Sequence, residues 1–180
     1  MIPSYDHGVA VFQGREEFVN GRTREVPLPC PGHACLVQTL HDDLCGQLKQ
    51  SDRAYVVLVS SYALGIERDS PEFRNPDLAV FVRDDLSAAH EEHGMLFATP
   101  LLVVECLYPF DRKGHLADLV RDYERMQARE VWFIDPLSRT VTSYFPNRSG
   151  YTLGDPLRPK ELPQVVIPLQ RLWSAFNCEW

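Results

Sequence analysis

The stretch from Leu101 to Asp135 constrains the fold more than any other. Leu101-Leu102-Val103-Val104-Glu105-Cys106-Leu107 is an apolar β-type run. Leu116, Leu119, Val120, Tyr123 and Met126 then recur at helical spacing between Arg112 and Arg129, and Val131-Trp132-Phe133-Ile134 closes the unit ahead of Asp135-Pro136. Strand, one-sided helix and strand within about 35 residues have the size of a βαβ crossover.

The flanking segments extend that unit into a layered protein. Ala54-Tyr55-Val56-Val57-Leu58-Val59 is nearly continuous and β-branched, as a strand buried on both faces should be, and Tyr62 to Ile66 is a candidate short neighbour. Leu36, Val37, Leu40, Leu44 and Leu48 mark a first amphipathic helix. Glu17-Phe18-Val19 and Thr23-Arg24-Glu25-Val26 flank Asn20-Gly21-Arg22, and Asn-Gly is the strongest short hairpin signal because both positions tolerate positive φ. A second hairpin is expected from Thr140 to Phe145 and Tyr151 to Leu153, while Arg83 to Thr99 reads as a polar, acidic loop or short helix. The predicted fold is α/β: one domain over residues 1–180, a mixed central β-sheet flanked by helices, with an N-terminal β-hairpin and a C-terminal hairpin extending the sheet edges.

Two carboxylates stand out against this frame. Asp77 in Pro76-Asp77-Leu78-Ala79-Val80-Phe81 and Glu105 in Val103-Val104-Glu105-Cys106 lie in neighbouring buried strands. An ionised carboxylate is costly to bury without a cation or donor, and a divalent metal supplies one. Taken alone, Asp77 reads as a turn residue after Pro76, whereas Glu105 must either alternate to solvent or be paired inside.

Composition narrows the classes of function. The chain is 44% apolar and 24% charged, which suits a globular protein. No apolar run has the length a membrane helix needs, and Met1 to His7 lacks the basic segment and apolar core of a secretory signal, so a cytoplasmic protein is expected. The 5 Cys, an odd number without scaffold spacing, fit reduced thiols. A net charge of -7 argues against loose electrostatic coating of nucleic acid, so any such contact must be local or metal-mediated.

Taken in order, Glu17-Phe18-Val19-Asn20-Gly21, His33 ahead of the first helix, Pro76-Asp77, Val103-Val104-Glu105 with Pro109 after it, Tyr123, and Glu130-Val131-Trp132-Phe133-Ile134-Asp135-Pro136 resemble the PD-(D/E)XK restriction-endonuclease-like superfamily, and within it the bacterial Uma-two family. The resemblance implies a metal-dependent endonuclease, acting on DNA rather than RNA, in which Asp77 and Glu105 hold Mg²⁺ or Mn²⁺ and Glu17 is an auxiliary carboxylate. It also implies a catalytic Lys, and here the chain departs. Leu107 occupies the motif position two residues after Glu105, and Leu119 occupies the position four before Tyr123.

Three readings of that gap stay open. His115, on the same helix face as Leu119 and Tyr123, or Lys113 or Arg112 at the helix start, replaces the Lys. Alternatively the chain is a nuclease-fold binding or scaffold module that has lost efficient hydrolysis. In a shifted helix register, Arg121 is the functional cation.

Other residues carry weaker signals. Glu17 also suits a surface pair with Arg22 or Arg24. Cys30-Pro31-Gly32-His33-Ala34-Cys35 invites a zinc reading, but no second Cys pair follows, and His33 suits a bond to backbone or to the acidic site. Cys106 is assigned to packing. Leu169, Leu172, Trp173, Phe176 and Trp180 offer either a homodimer face or a segment packed back on its own domain.

Overall fold

The computed structural model describes residues 15–26, 28–51, 53–60, 62–87, 90–92, 94–107, 113–146 and 148–178. Strands β1 (Arg15–Val19) and β2 (Arg22–Val26) form the expected hairpin, with Asn20 and Gly21 at φ 52° and 69° in its turn. Helix α1 (Pro31–Leu48) starts with Pro at its first position and with the Cys30 thiol accepting the His33 N–H at 3.5 Å. Then follow β3 (Tyr55–Val59), β4 (Ala63–Gly65), β5 (Phe73–Arg74), β6 (Leu78–Val82), the short α2 (Arg83–Ser87), β7 (His90–Glu92), β8 (Met95–Phe97), β9 (Leu102–Cys106), α3 (Lys113–Arg125), β10 (Val131–Asp135), β11 (Thr140–Tyr144), β12 (Tyr151–Thr152) and α4 (Leu169–Phe176).

The central sheet runs β12-β11-β10-β9-β6-β3, with β9 and β10 parallel across α3 and its other pairs antiparallel. Alternation divides its side chains. Leu78, Val80, Leu102, Val104, Trp132 and Ile134 pack on one face with Leu36, Leu40 and Leu44 of α1 and Leu172 of α4. Ala79, Phe81, Val103 and Phe133 pack on the other with Leu119 and Tyr123 of α3. Period-2 and period-3.6 patterns therefore meet on both faces of one sheet.

The N-terminal hairpin does not extend the edge of that sheet. It belongs to a second sheet, β2-β1-β5-β4-β8-β7, because Phe18 pairs with Phe73 and the charge of Glu17 is met by Arg74 on β5. The C-terminal hairpin does extend the central sheet, through β11 and β12. The segment from Arg83 to Thr99, expected to be a loop or short helix, does hold the short helix α2, and beyond it the unexpected β7–β8 hairpin, turned by Gly94 at φ 78°, because Met95, Leu96 and Phe97 add apolar side chains beside β4.

The C-terminal segment packs on its own fold. Leu172 and Trp173 are buried in the α1-side core, and a Cβ on Gly32 would lie 2.3 Å from the Phe176 carbonyl oxygen, so the Gly32 backbone of α1 lies directly against the Phe176 backbone at the end of α4. Those two residues are spent inside the core and cannot form a homodimer face; Trp180 lies outside the described residues.

Candidate functional site

Leu78 of β6 lies opposite Val104 of β9, so continuing the antiparallel register brings Asp77 beside Glu105 at the end of the sheet. Each carboxylate has its own partners there. Asp77 is buried: its Oδ2 accepts the Cys106 backbone N–H at 2.9 Å and its Oδ1 lies 3.1 Å from His33 Nε2. Glu105 is half-buried on the α3 face and accepts a hydrogen bond from the Tyr123 hydroxyl. The peptide that follows Glu105 is thus the one that donates to Asp77.

The charges register on their neighbours. Burial pushes the Cys106 thiol well above its usual range, and Asp77 and then Glu105 push it further. Burial raises the Tyr123 hydroxyl as well, followed by Glu105 and Glu17, which keeps it a proton donor toward Glu105. Tyr62 is raised by burial and by Glu105, and its buried hydroxyl has no hydrogen-bond partner among the described residues. The His33 imidazole, the Asp77 carboxylate and the Cys106 thiol each offer one ligand atom, all within 4.8 Å of one another, in an arrangement able to hold a metal ion.

The Glu17 carboxylate takes Arg74 as its cation instead of Arg22 or Arg24, although Arg24 lies opposite it in the hairpin. Its Oε2 accepts from Arg74 Nη1 at 2.7 Å and its Oε1 from the Asn75 N–H at 3.1 Å. Arg74 in turn donates from Nε and Nη2 to Asp122 Oδ2 at 3.1 and 2.6 Å. This Glu17–Arg74–Asp122 triad is buried between the second sheet and α3, next to Tyr123. His115 Nδ1 meets the Arg24 guanidinium, and Leu119 is buried under Tyr123 in the α3-side core. Arg121 is half-exposed and bonds Asp118 at 3.0 Å and Asn20 at 3.4 Å, a position at the rim of the second sheet. The Lys113 side chain, Pro109 and Arg112 lie outside the described residues.

Arg74, Asp122 and Tyr62 join the site without standing out as site residues in the sequence reading, and of the three Asp122 carries a sequence signal. Asp122 sits between Leu119 and Met126 at i+3 and i+4 spacing, a carboxylate on an inward helix stripe, which demands a buried partner. Arg74 stands three residues before Asp77 in a strand of two residues, too short to show a pattern. His33, by contrast, bonds the acidic site as one reading of its position at the helix start expects.

The overall architecture is similar to that of a putative nuclease of the DUF820 group from Anabaena variabilis, with a TM-score of 0.73 at 18% identity over 89% of this chain and 90% of that one; at that identity the likeness speaks for the fold. No curated protein matches the chain. A family model described as "Putative restriction endonuclease", Uma2, matches residues 13–177. With nearly all of its length inside that match, the chain belongs to the Uma2 family.

Proposed function

We propose that the protein is a divalent-cation-dependent nuclease that hydrolyses phosphodiester bonds in DNA, with Asp77 and Glu105 as the metal-holding pair. The observation that carries this reading is their adjacency: the Cys106 N–H that Asp77 accepts belongs to the peptide leaving Glu105. Their oxygens suit hard cations such as Mg²⁺ or Mn²⁺, and the Tyr62 hydroxyl near Glu105, which has no hydrogen-bond partner among the described residues, suits a hydrated ion or a phosphate oxygen. Such an ion would polarise the scissile phosphate and lower the pKa of the attacking water.

The remaining work falls to the chain. His33 and the Cys106 N–H fix the orientation of Asp77, and the Tyr123 hydroxyl fixes that of Glu105. The Glu17–Arg74–Asp122 triad holds β1 and β5 against α3, so Glu17 supports the site through Arg74. Arg24 with His115 supplies cationic and imidazole groups on the α3 side, where the motif Lys is replaced by Leu107.

The test is cleavage of single- and double-stranded DNA with Mg²⁺ or Mn²⁺, set beside melting curves with and without the ions. Wild type should cut and should melt higher with the ion. Asp77→Ala and Glu105→Ala should abolish both effects, and Tyr123→Phe should cut at least tenfold more slowly while remaining folded. A folded wild type with no cleavage and no ion-dependent melting would refute the reading.

A further inference from the structure

Glu105 and Cys106 are successive residues of β9, so the pleat sends them to opposite faces: Glu105 to Tyr123 on the α3 side, Cys106 into the core under α1. The α1 side therefore has its own donor set, and it is chemically unlike a magnesium site. It offers one imidazole, one carboxylate and one thiol, each from a different rigid element: α1, the residue leading into β6, and β9. Nitrogen and sulfur ligands select borderline-soft cations over Mg²⁺, which requires oxygen and retains water.

We propose that His33, Asp77 and Cys106 form a second cation site, specific for borderline-soft divalent ions of the Zn²⁺ class. Ligand atoms around a tetrahedral ion with bonds of about 2.0–2.3 Å lie roughly 3.5 Å apart. Separations within 4.8 Å thus require only a small inward movement. Two of the three are already held together, since Asp77 bridges His33 Nε2 at 3.1 Å and the Cys106 N–H at 2.9 Å. Three protein ligands leave a fourth position open, the pattern of sites that exchange a ligand rather than of closed structural ones. The site shares Asp77 with the proposed nuclease centre, so a soft ion bound here withdraws that carboxylate from Mg²⁺, but its existence does not depend on cleavage.

The experiment is a Co²⁺ titration of the full-length, chelator-treated and reduced protein, monitored by thiolate-to-cobalt charge-transfer absorption in the near ultraviolet. Wild type should develop the band with saturation at one ion per chain, and Zn²⁺ should abolish it. The band should disappear in Cys106→Ser and His33→Gln. It should persist in Glu105→Gln and in the combined variant Cys30→Ser/Cys35→Ser/Cys45→Ser/Cys178→Ser, which keeps Cys106 as its single thiol and decides the matter should Cys106→Ser fail to fold. Absence of the band in wild type, its survival in Cys106→Ser, or its loss in the combined variant would overturn the proposal. Because the readout is spectroscopic, a protein that binds Co²⁺ in this way but, freed of soft ions, shows neither cleavage nor ion-dependent melting with Mg²⁺ or Mn²⁺ would refute the nuclease reading alone.

Discussion

Replacing Arg74 by Met is the sharpest test of what holds the second sheet to α3. The guanidinium makes three hydrogen bonds, at 2.7, 3.1 and 2.6 Å, to two carboxylates that have almost no exposed surface. Met keeps much of the volume but strands Glu17 and Asp122 without their shared cation. Removing one partner of a buried ion pair costs about 3–5 kcal/mol, because the remaining charge stays desolvated. At about 2–4 °C per kcal/mol for a chain of this size, the melting temperature should fall by roughly 6–20 °C. Urea unfolding followed through the fully buried Trp132 should show a lower midpoint with an unchanged slope. The combined variant Glu17→Gln/Arg74→Met/Asp122→Asn should recover much of the loss, since no charge is left stranded. A loss below about 1 kcal/mol, the worth of an exposed pair, or a combined variant no better than Arg74→Met, would refute the reasoning.

Burial alone would raise the Glu72 carboxyl, but Arg125 and the Asn20 and Gly21 N–H groups outweigh it and hold the group below its usual 4.5. A lowered carboxyl contributes stability that is complete above the unfolded value and lost as pH falls through the folded one. The gap in urea midpoint between wild type and Glu72→Gln should therefore be widest near neutrality and close below pH 4.5; a gap that stays constant across that range contradicts the pairing. Gly32→Ala places a methyl 2.3 Å from the Phe176 carbonyl oxygen and should cost about 1–3 kcal/mol in thermal melts as α4 is pushed off α1; an unchanged melting temperature would show that the two helices do not touch there.

The sequence made the central sheet legible where periods were long and clean. The β9–α3–β10 unit, α1 and the Asn20-Gly21 hairpin follow from hydrophobic spacing and turn chemistry. Glu105 was legible because a carboxylate among Val103, Val104, Cys106 and Leu107 requires a partner, and that partner is Tyr123. The assembly of the second sheet was not legible. Its β1–β2 hairpin and the short strand β4, expected between Tyr62 and Ile66, are there, but β4 pairs with β5 and β8 instead of β3, and β5, of two residues, is held by Arg74 reaching residues 57 positions earlier and 48 later in the chain. Cys106 reads as packing because burial is the default for a thiol; its closeness to His33 and Asp77 depends on the crossing of three elements, which no local pattern encodes.

Asp77 reaches toward α1 while Glu105, one peptide from its hydrogen-bond donor, reaches toward α3. Any particle that gripped both carboxylates would act as a rivet driven through the end of the sheet, fastening the two helical layers to each other as well as to the strands. Fraying of the first turn of α1 or of the last turn of α3 would then have to break the same fastening, and the layers would come apart together.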